Sequence, residues 1–368
     1  MIPGYSYPVY SVAPVTAVQS YTVGSHTYGV SSPKLVSSNN TFLHFPTISR
    51  LSSGRIKLTC ATYPDSYSNT PSTRNCWSDN GGATWTATED MLDQDMTRGS
   101  LQKADGGLIA IPTMVHSGVG NNCTIPRICT YALKSLFPVV STGAITGLAH
   151  PMDPLSGDFV GNFWGDIIPA VGGGWLTCYY GKWQSESTYT LFMLKSLDGY
   201  TWAFQSIVCP SSYHPPPGTE GPDEFGLVRI SNGNLLVVFR TGGNTPMSQV
   251  TSADDGLTWG TPVQTNLGVV SPYLIALPDW TLLCTSGYAL NSGHFWMHAS
   301  ADSGSTWTLI YDLLAHHNAH CSTQLTTSSG YTALVKLDAT HLLVVYDDDN
   351  RSQDPHPAAV WSQRIVIS

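Results

Sequence analysis

Short apolar runs recur in pairs along this chain, and each pair is broken by a turn rich in Gly, Asp, Asn or Ser. The pairs cover 45–60, 99–112, 166–180, 225–240, 272–284 and 332–346. The second turns around Asp105-Gly106-Gly107 and the third around Gly172-Gly173-Gly174. Runs this short, rich in Val, Leu, Ile and aromatics and bounded by turn formers, predict β-hairpins, not helices.

Four of the hairpins are followed by the same word, Ser-x-Asp-x-Gly-x-Thr-Trp. It stands complete at 252–259 and 300–307, one residue short at 196–202, and with Asn80 for the Asp at 78–85. The Asp and Ser side chains suit bonds to nearby backbone, the Gly suits a geometry that other residues resist, and the Trp can pack beneath. The second hairpin has only a degenerate sequel, and the sixth is followed by 360–368, where the chain stops. Six four-stranded units predict an all-β fold, a six-bladed β-propeller of antiparallel blades. The last unit has three strands of its own, so a strand from residues 20–35 is expected to complete it. Residues 1–35 then form an extended arm with this closing strand, and 36–368 the propeller.

Composition agrees with a turn-rich β protein. Only 11% of the 368 residues are charged, against 42% hydrophobic, with 34 Gly and 24 Pro. A net charge of −9 argues against nucleic acid or an anionic membrane as partner. No run is long and apolar enough to span a bilayer. The first 25 residues hold no Lys or Arg, so no signal peptide is visible. Their uncharged, Tyr-rich character suits an attachment arm or a homo-oligomer contact. Cys60, Cys178 and Cys284 read as small core residues, while Cys123 and Cys129 are close enough to bridge. In His316-His317-Asn318-Ala319-His320 two His stand at i, i+4, but the stretch is read as a loop with no third ligand, and the acidic run from Asp347 as a solvated turn. No metal and no cofactor are expected.

In such a ring the chemistry gathers at one axial mouth, just before each innermost strand and just after the next. Those positions include His44, Arg98, Asp166, Glu224, Ser271 and Tyr331 at the starts. At the ends stand Tyr63, Asp65, Tyr180, Arg240, Tyr288 and Asp347. They bring a phenol, carboxylates and an arginine to one surface.

With these residues in view, the chain from about residue 40 to 368 resembles the sialidase (neuraminidase) superfamily, and the repeated word is its Asp-box. The segment Gly330-Tyr331-Thr332-Ala333-Leu334 is similar to the family's nucleophile motif, and Glu224 with Arg240 to its base and one of its arginines. The resemblance implies release of a terminal sialic acid or related acidic sugar, with retention, through a tyrosyl-enzyme intermediate. Tyr331 would attack, Glu224 would take its proton, Arg240 would clamp the sugar carboxylate, and Asp65 would serve the leaving oxygen. A secreted, extracellular or virion-associated setting goes with such a glycan substrate.

Departures from the family pattern are specific. His44-Phe45-Pro46 stands where the family has Arg-Ile-Pro, and 284–300 contains no Arg, leaving His294 as the nearest cation. Arg98 and Arg127 are candidate replacements. Asp166 and Tyr288 join the substrate-binding candidates, and Asp166 is also a rival acid. Two other readings use the same surface: a hydrolase of a different sugar with paired carboxylates, and a glycan-binding propeller without catalysis. Tyr63, Trp164, Tyr180, Trp183 and Tyr288 would line the second.

Overall fold

The structure is a computed structural model that describes residues 10–63, 71–87, 90–92, 97–103, 105–132, 138–215, 220–287, 294–325, 328–348 and 358–368. Those residues are all-β apart from a single helix, Leu313–His320. Two units are four-stranded antiparallel sheets. One consists of Phe225–Arg229, Leu235–Phe239, Ser248–Ser252 and Val263–Gln264, the other of Val270–Ala276, Leu282–Gly287, Phe295–Ser300 and Thr308–Asp312. The first unit adds a short strand, Met91–Leu92, against Ser72–Ser78.

The second and third units differ from expectation, merging into a ten-stranded sheet. Val139–Thr146 runs parallel to Thr201–Cys209 over three residue pairs, Ala144↔Thr201 to Thr146↔Ala203, and Met114–Ser117 pairs with Phe159–Asn162. Each joint covers a strand edge that would otherwise stay open. The inner strands nevertheless meet in a closed cycle. His44–Arg50 touches Thr97–Gln102, Gly99 lies against Ile167, and Ile168–Pro169 touches Phe225–Arg229. Phe225–Arg229 touches Val270–Ala276, which touches Thr332–Lys336, which returns to His44–Arg50.

The N-terminal strands complete the last sheet in two steps. His26–Ser31 pairs with one half of Ala358–Ile367 and Lys34–Asn39 with the other. Residues 10–14 strap the face opposite the mouth. Tyr10 N donates to Ser53 O (2.9 Å), Ala13 N to Asn80 O (3.3 Å), and Arg364 Nη1 to Pro14 O (3.1 Å).

One local expectation is corrected here. The histidines at 316–320 lie on a helix, because Asp312 caps it by accepting from Leu314 N and Ala315 N. Their ring nitrogens meet protein groups: His316 contacts Tyr21 Oη and Ser31 O, His317 contacts Tyr346 Oη and Thr323 O, and His320 contacts Gln19 Oε1. The eight cysteines are free thiols. Cys123 and Cys129 do not bridge, since they lie six positions apart on the single extended strand Cys123–Tyr131.

The repeated turns are built as their residues require. In the last, Ser300 Oγ accepts from Gly304 N (2.9 Å) and donates to Asp302 Oδ1 (2.7 Å), and Thr306 N donates to Asp302 Oδ1 (2.8 Å). Gly304 sits at φ +92°. The Trp of each complete copy reaches back to the preceding unit: Trp307 Nε1 to Gln249 Oε1 (3.0 Å), Trp259 Nε1 to Ser206 Oγ (3.1 Å). Gln249 and Ser206 also bond the turn carbonyls of Gly304 and Gly256. The word is therefore a staple between neighbours as well as a turn.

Candidate functional site

Strand alternation puts the starts of the inner strands and the ends of their partners on one end of the ring, opposite the repeated turns. Tyr331 opens the inner strand Thr332–Lys336. A Cβ on Gly287 would lie 1.9 Å from Gly330 O, so only glycine there lets the two backbones come this close. Asp347 fixes the approach by accepting from Ser328 Oγ (2.7 Å), Ser329 N (3.0 Å) and Phe45 N (2.9 Å). This corrects the reading of a solvated acidic turn: Asp347 is fully buried and Asp348 nearly so. The Tyr331 ring is held edge-on by Phe45 (4.5 Å between centroids) and Trp164 (5.3 Å).

The half-buried Tyr331 hydroxyl donates to Glu224 Oε1. The same oxygen accepts from Arg240 Nη1 at 3.3 Å, and Oε2 accepts from Ser271 N at 3.0 Å. Glu224 and Arg240 come side by side because their backbones continue the hairpin Phe225–Phe239: Arg240 N donates to Glu224 O (2.9 Å) and Asp223 N to Arg240 O (3.0 Å). The second guanidinium nitrogen, Nη2, meets Glu220 Oε2 at 3.2 Å. Phe45 (φ +53°) and Ser271 (φ +52°) border the group in backbone conformations that side chains rarely adopt. Each lies at a register shift of its hairpin, a form of local strain found at sites that hold a side chain in place.

Charge is concentrated here. Burial pushes the Asp223 carboxyl well up, with Glu224 and Glu220 adding to the rise and Arg240 opposing it. For Arg240, burial works against the charge, but Glu224 and Asp223 outweigh it and raise the pKa above the ordinary value. Burial raises the Tyr189 phenol to about 12 and Tyr180 well above its usual range, both with help from neighbouring carboxylates. Among the described residues no hydrogen-bond partner meets Asp223 Oδ1, Arg240 Nε, Trp164 Nε1 or Thr241 Oγ1.

The other candidates make no direct bond to Tyr331, Glu224 or Arg240 among those described. Arg98 is buried between the rings of Trp164 (5.4 Å) and Tyr273 (5.0 Å); it donates through Nη1 to Ser271 Oγ (2.6 Å) and through Nη2 to Pro272 O. Asp166 accepts from Leu227 N at 3.4 Å through Oδ2; burial raises its pKa to about 6, partly offset by Arg98. His44 Nε2 meets Tyr63 O at 2.8 Å. His294 pairs with Asp312 at 2.6 Å, at the cap of the helix. Arg127 sits on a third strand, Cys123–Tyr131, at φ +61°. Asp65 and Tyr288 lie outside the described residues. Glu220, Asp223 and Phe45 carry the site's geometry without having been assigned roles from sequence. The acidic stretch Glu220-Gly-Pro-Asp-Glu224 was the available signal for the first two. No group of metal-ligating side chains occurs among the described residues, and no described helix is long and apolar enough to cross a membrane.

No family model and no curated protein matches this sequence. Solved structures do match its fold. A protein of unknown function from Dyadobacter fermentans is 16% identical with a TM-score of 0.65, over 93% of this chain and 99% of that one. The Hadza microbial sialidase Hz136 is 13% identical with a TM-score of 0.59, over 88% of this chain and 65% of that one. This chain has a divergent sialidase-like fold. An α-L-arabinanase from Penicillium chrysogenum, solved with arabinobiose, shares it at 15% identity and a TM-score of 0.58, over 90% and 98% of the two chains. At these identities the likeness establishes the propeller architecture alone.

Proposed function

We propose that this chain is a retaining glycoside hydrolase on a six-bladed ring, with residues 36–368 as the propeller. The observation that carries the proposal is the hydrogen bond from the Tyr331 hydroxyl to Glu224. A phenol is a weak nucleophile until a base takes its proton, and Glu224 stands where that base is needed. In the first step Tyr331 Oη bonds to the anomeric carbon, its proton passes to Glu224, and the bond to the leaving oxygen breaks. An acid protonates that oxygen; Asp65 keeps the role the sequence reading gave it. In the second step water attacks the same carbon, giving its proton to the acid, while Glu224 returns the first proton to Tyr331 as the tyrosyl bond breaks. Two inversions give retention.

The neighbouring folds suit a carbohydrate hydrolase, since their names include sialidases and an arabinanase. A sialic acid or related acidic sugar is the substrate that the sequence resemblance implies, and Arg240 is the residue in its favour. An extracellular or virion-associated setting suits any glycan substrate. The test is sugar release from a glycan panel by the wild type and by Tyr331→Phe, with the anomer of the first product read by NMR. Release with retention by the wild type and none by the variant is expected. Equal release by both removes Tyr331 as nucleophile and turns attention to paired carboxylates.

A further inference from the structure

A sugar that carries a carboxylate on its anomeric carbon needs cations free to meet it. Among the described residues, the two arginines nearest Tyr331 and Glu224 are engaged. Arg240 spends Nη1 on Glu224 and Nη2 on Glu220. Arg98 spends both terminal nitrogens on Ser271 and Pro272 beneath two aromatic rings. His294 pairs with Asp312, and Lys182 lies 6.0 Å from the Tyr189 ring centre.

Acid outweighs base in the same place. Glu220, Asp223 and Glu224 surround the Arg240 guanidinium. Two of these carboxylates, Glu220 and Glu224, pair with this one cation. The Glu220 side chain, 42% exposed, lies over Gly242, where a Cβ would come within 2.7 Å of Glu220 Cβ and Cγ. Gly242 takes φ +81°, so this too is a place built for glycine. An incoming carboxylate would have to displace Glu220 from Arg240 and remain beside the buried Glu224 carboxylate, where like charges repel.

We propose that the site cleaves a terminal neutral sugar, with Glu220 as the residue that excludes carboxylate-bearing ones. Glu220 acts by occupying the guanidinium that an acidic sugar would require. This inference rests on the tyrosyl-enzyme reading above, and the test separates the two. The protein is incubated with neutral 2-deoxy-2-fluoroglycosyl fluorides (arabinosyl, xylosyl, galactosyl, glucosyl, fucosyl) and with 3-fluorosialyl fluoride. The Tyr331 peptide is then weighed by mass spectrometry, with Tyr331→Phe as control. A neutral glycosyl adduct on Tyr331 and none from the sialyl reagent is the expected result. A sialyl adduct on Tyr331 overturns the neutral-sugar proposal and keeps the tyrosine mechanism. No adduct from any reagent, with sugar release unaffected by Tyr331→Phe, overturns both.

Glu220→Gln supplies the second measurement. With one carboxylate removed, Arg240 Nη2 is released, and labelling by the sialyl reagent is expected to rise at least tenfold over the wild type. An unchanged rate removes Glu220 as the excluding residue.

Discussion

Tyr331 and Glu224 stand 107 positions apart in sequence, yet one oxygen of Glu224 receives both the phenol and Arg240. Removing the phenolic oxygen should abolish turnover while leaving the ring's packing against Phe45 and Trp164 in place. For Tyr331→Phe the expected loss in kcat/KM is on the order of 10³-fold or more, with Tm nearly unchanged. Steady-state kinetics beside a melting curve checks both halves. A fall in Tm matching the fall in activity would mark Tyr331 as structural.

A second expectation belongs to Asp166, whose carboxyl is raised by burial to about 6 against 3.8 when unfolded. The folded state then holds that proton more tightly. Its contribution to stability is full below about pH 4 and is lost as pH rises through 6. His298 and His317 run the other way: burial lowers both to about 4, so their contribution is present above pH 6.5 and lost as pH falls. The opposed signs share one pH window, so the whole-protein curve cannot separate them. The difference in Tm between wild type and Asp166→Asn can. It should favour the wild type more at pH 4 than at pH 7. An equal difference at the two pH values would give Asp166 an ordinary pKa.

The repeated turn is the element that joins the sheets, and its glycine is where its geometry is most exposed to test. Gly304 takes φ +92°, and a Cβ there would lie 2.8 Å from Leu236 Cδ2 of the preceding unit. Gly233 takes φ +88°, with nothing within 4 Å of such an atom. Gly233→Ala carries only the backbone cost, about 1 kcal/mol. Gly304→Ala adds a clash across the joint and is expected to cost roughly 2–3 kcal/mol in all. Urea denaturation of the two variants measures the difference. Equal losses would mean that Leu236 gives way and the joint is loose.

This element was also the most legible part of the sequence, because a turn made by Ser, Asp, Gly and Thr is fixed by residues a few positions apart. Tyr331, Glu224 and Arg240 were legible for a related reason: a repeat places the start of every inner strand on one end. What could not be read were contacts between units. Nothing local signals that Val139–Thr146 will lie beside Thr201–Cys209, or that Glu220 will settle over Gly242. Asp347 shows the limit, since four acidic and amide residues in a row look solvated until a distant backbone, Phe45 N, is brought to them. The helix at Leu313–His320 was hidden because tertiary packing, more than its own pattern, holds its histidines against the N-terminal strands.

Across the whole molecule, closure of the ring depends on the chain's two ends. The C-terminal strand Ala358–Ile367 has the inner hairpin on one side and the N-terminal strands on the other. Residues 10–14 then cross from Arg364 of the last unit to Ser53 and Asn80 of the first. A ring joined by its ends transmits strain at that joint to every unit, so loosening it should lower the stability of the whole and not of one sheet. Deleting residues 1–14 removes the strap but leaves both closing strands, His26–Ser31 and Lys34–Asn39. The mouth lies on the opposite face. The expected result is a melting temperature several degrees lower, in a single transition, with Tyr331-dependent sugar release retained below that temperature. Two transitions would show that the first and last units separate before the rest, and that the ring is held by its individual sheets more than by its closure. An unchanged Tm would assign the closure to the paired strands alone and leave residues 10–14 free for another role, such as contact with a second copy.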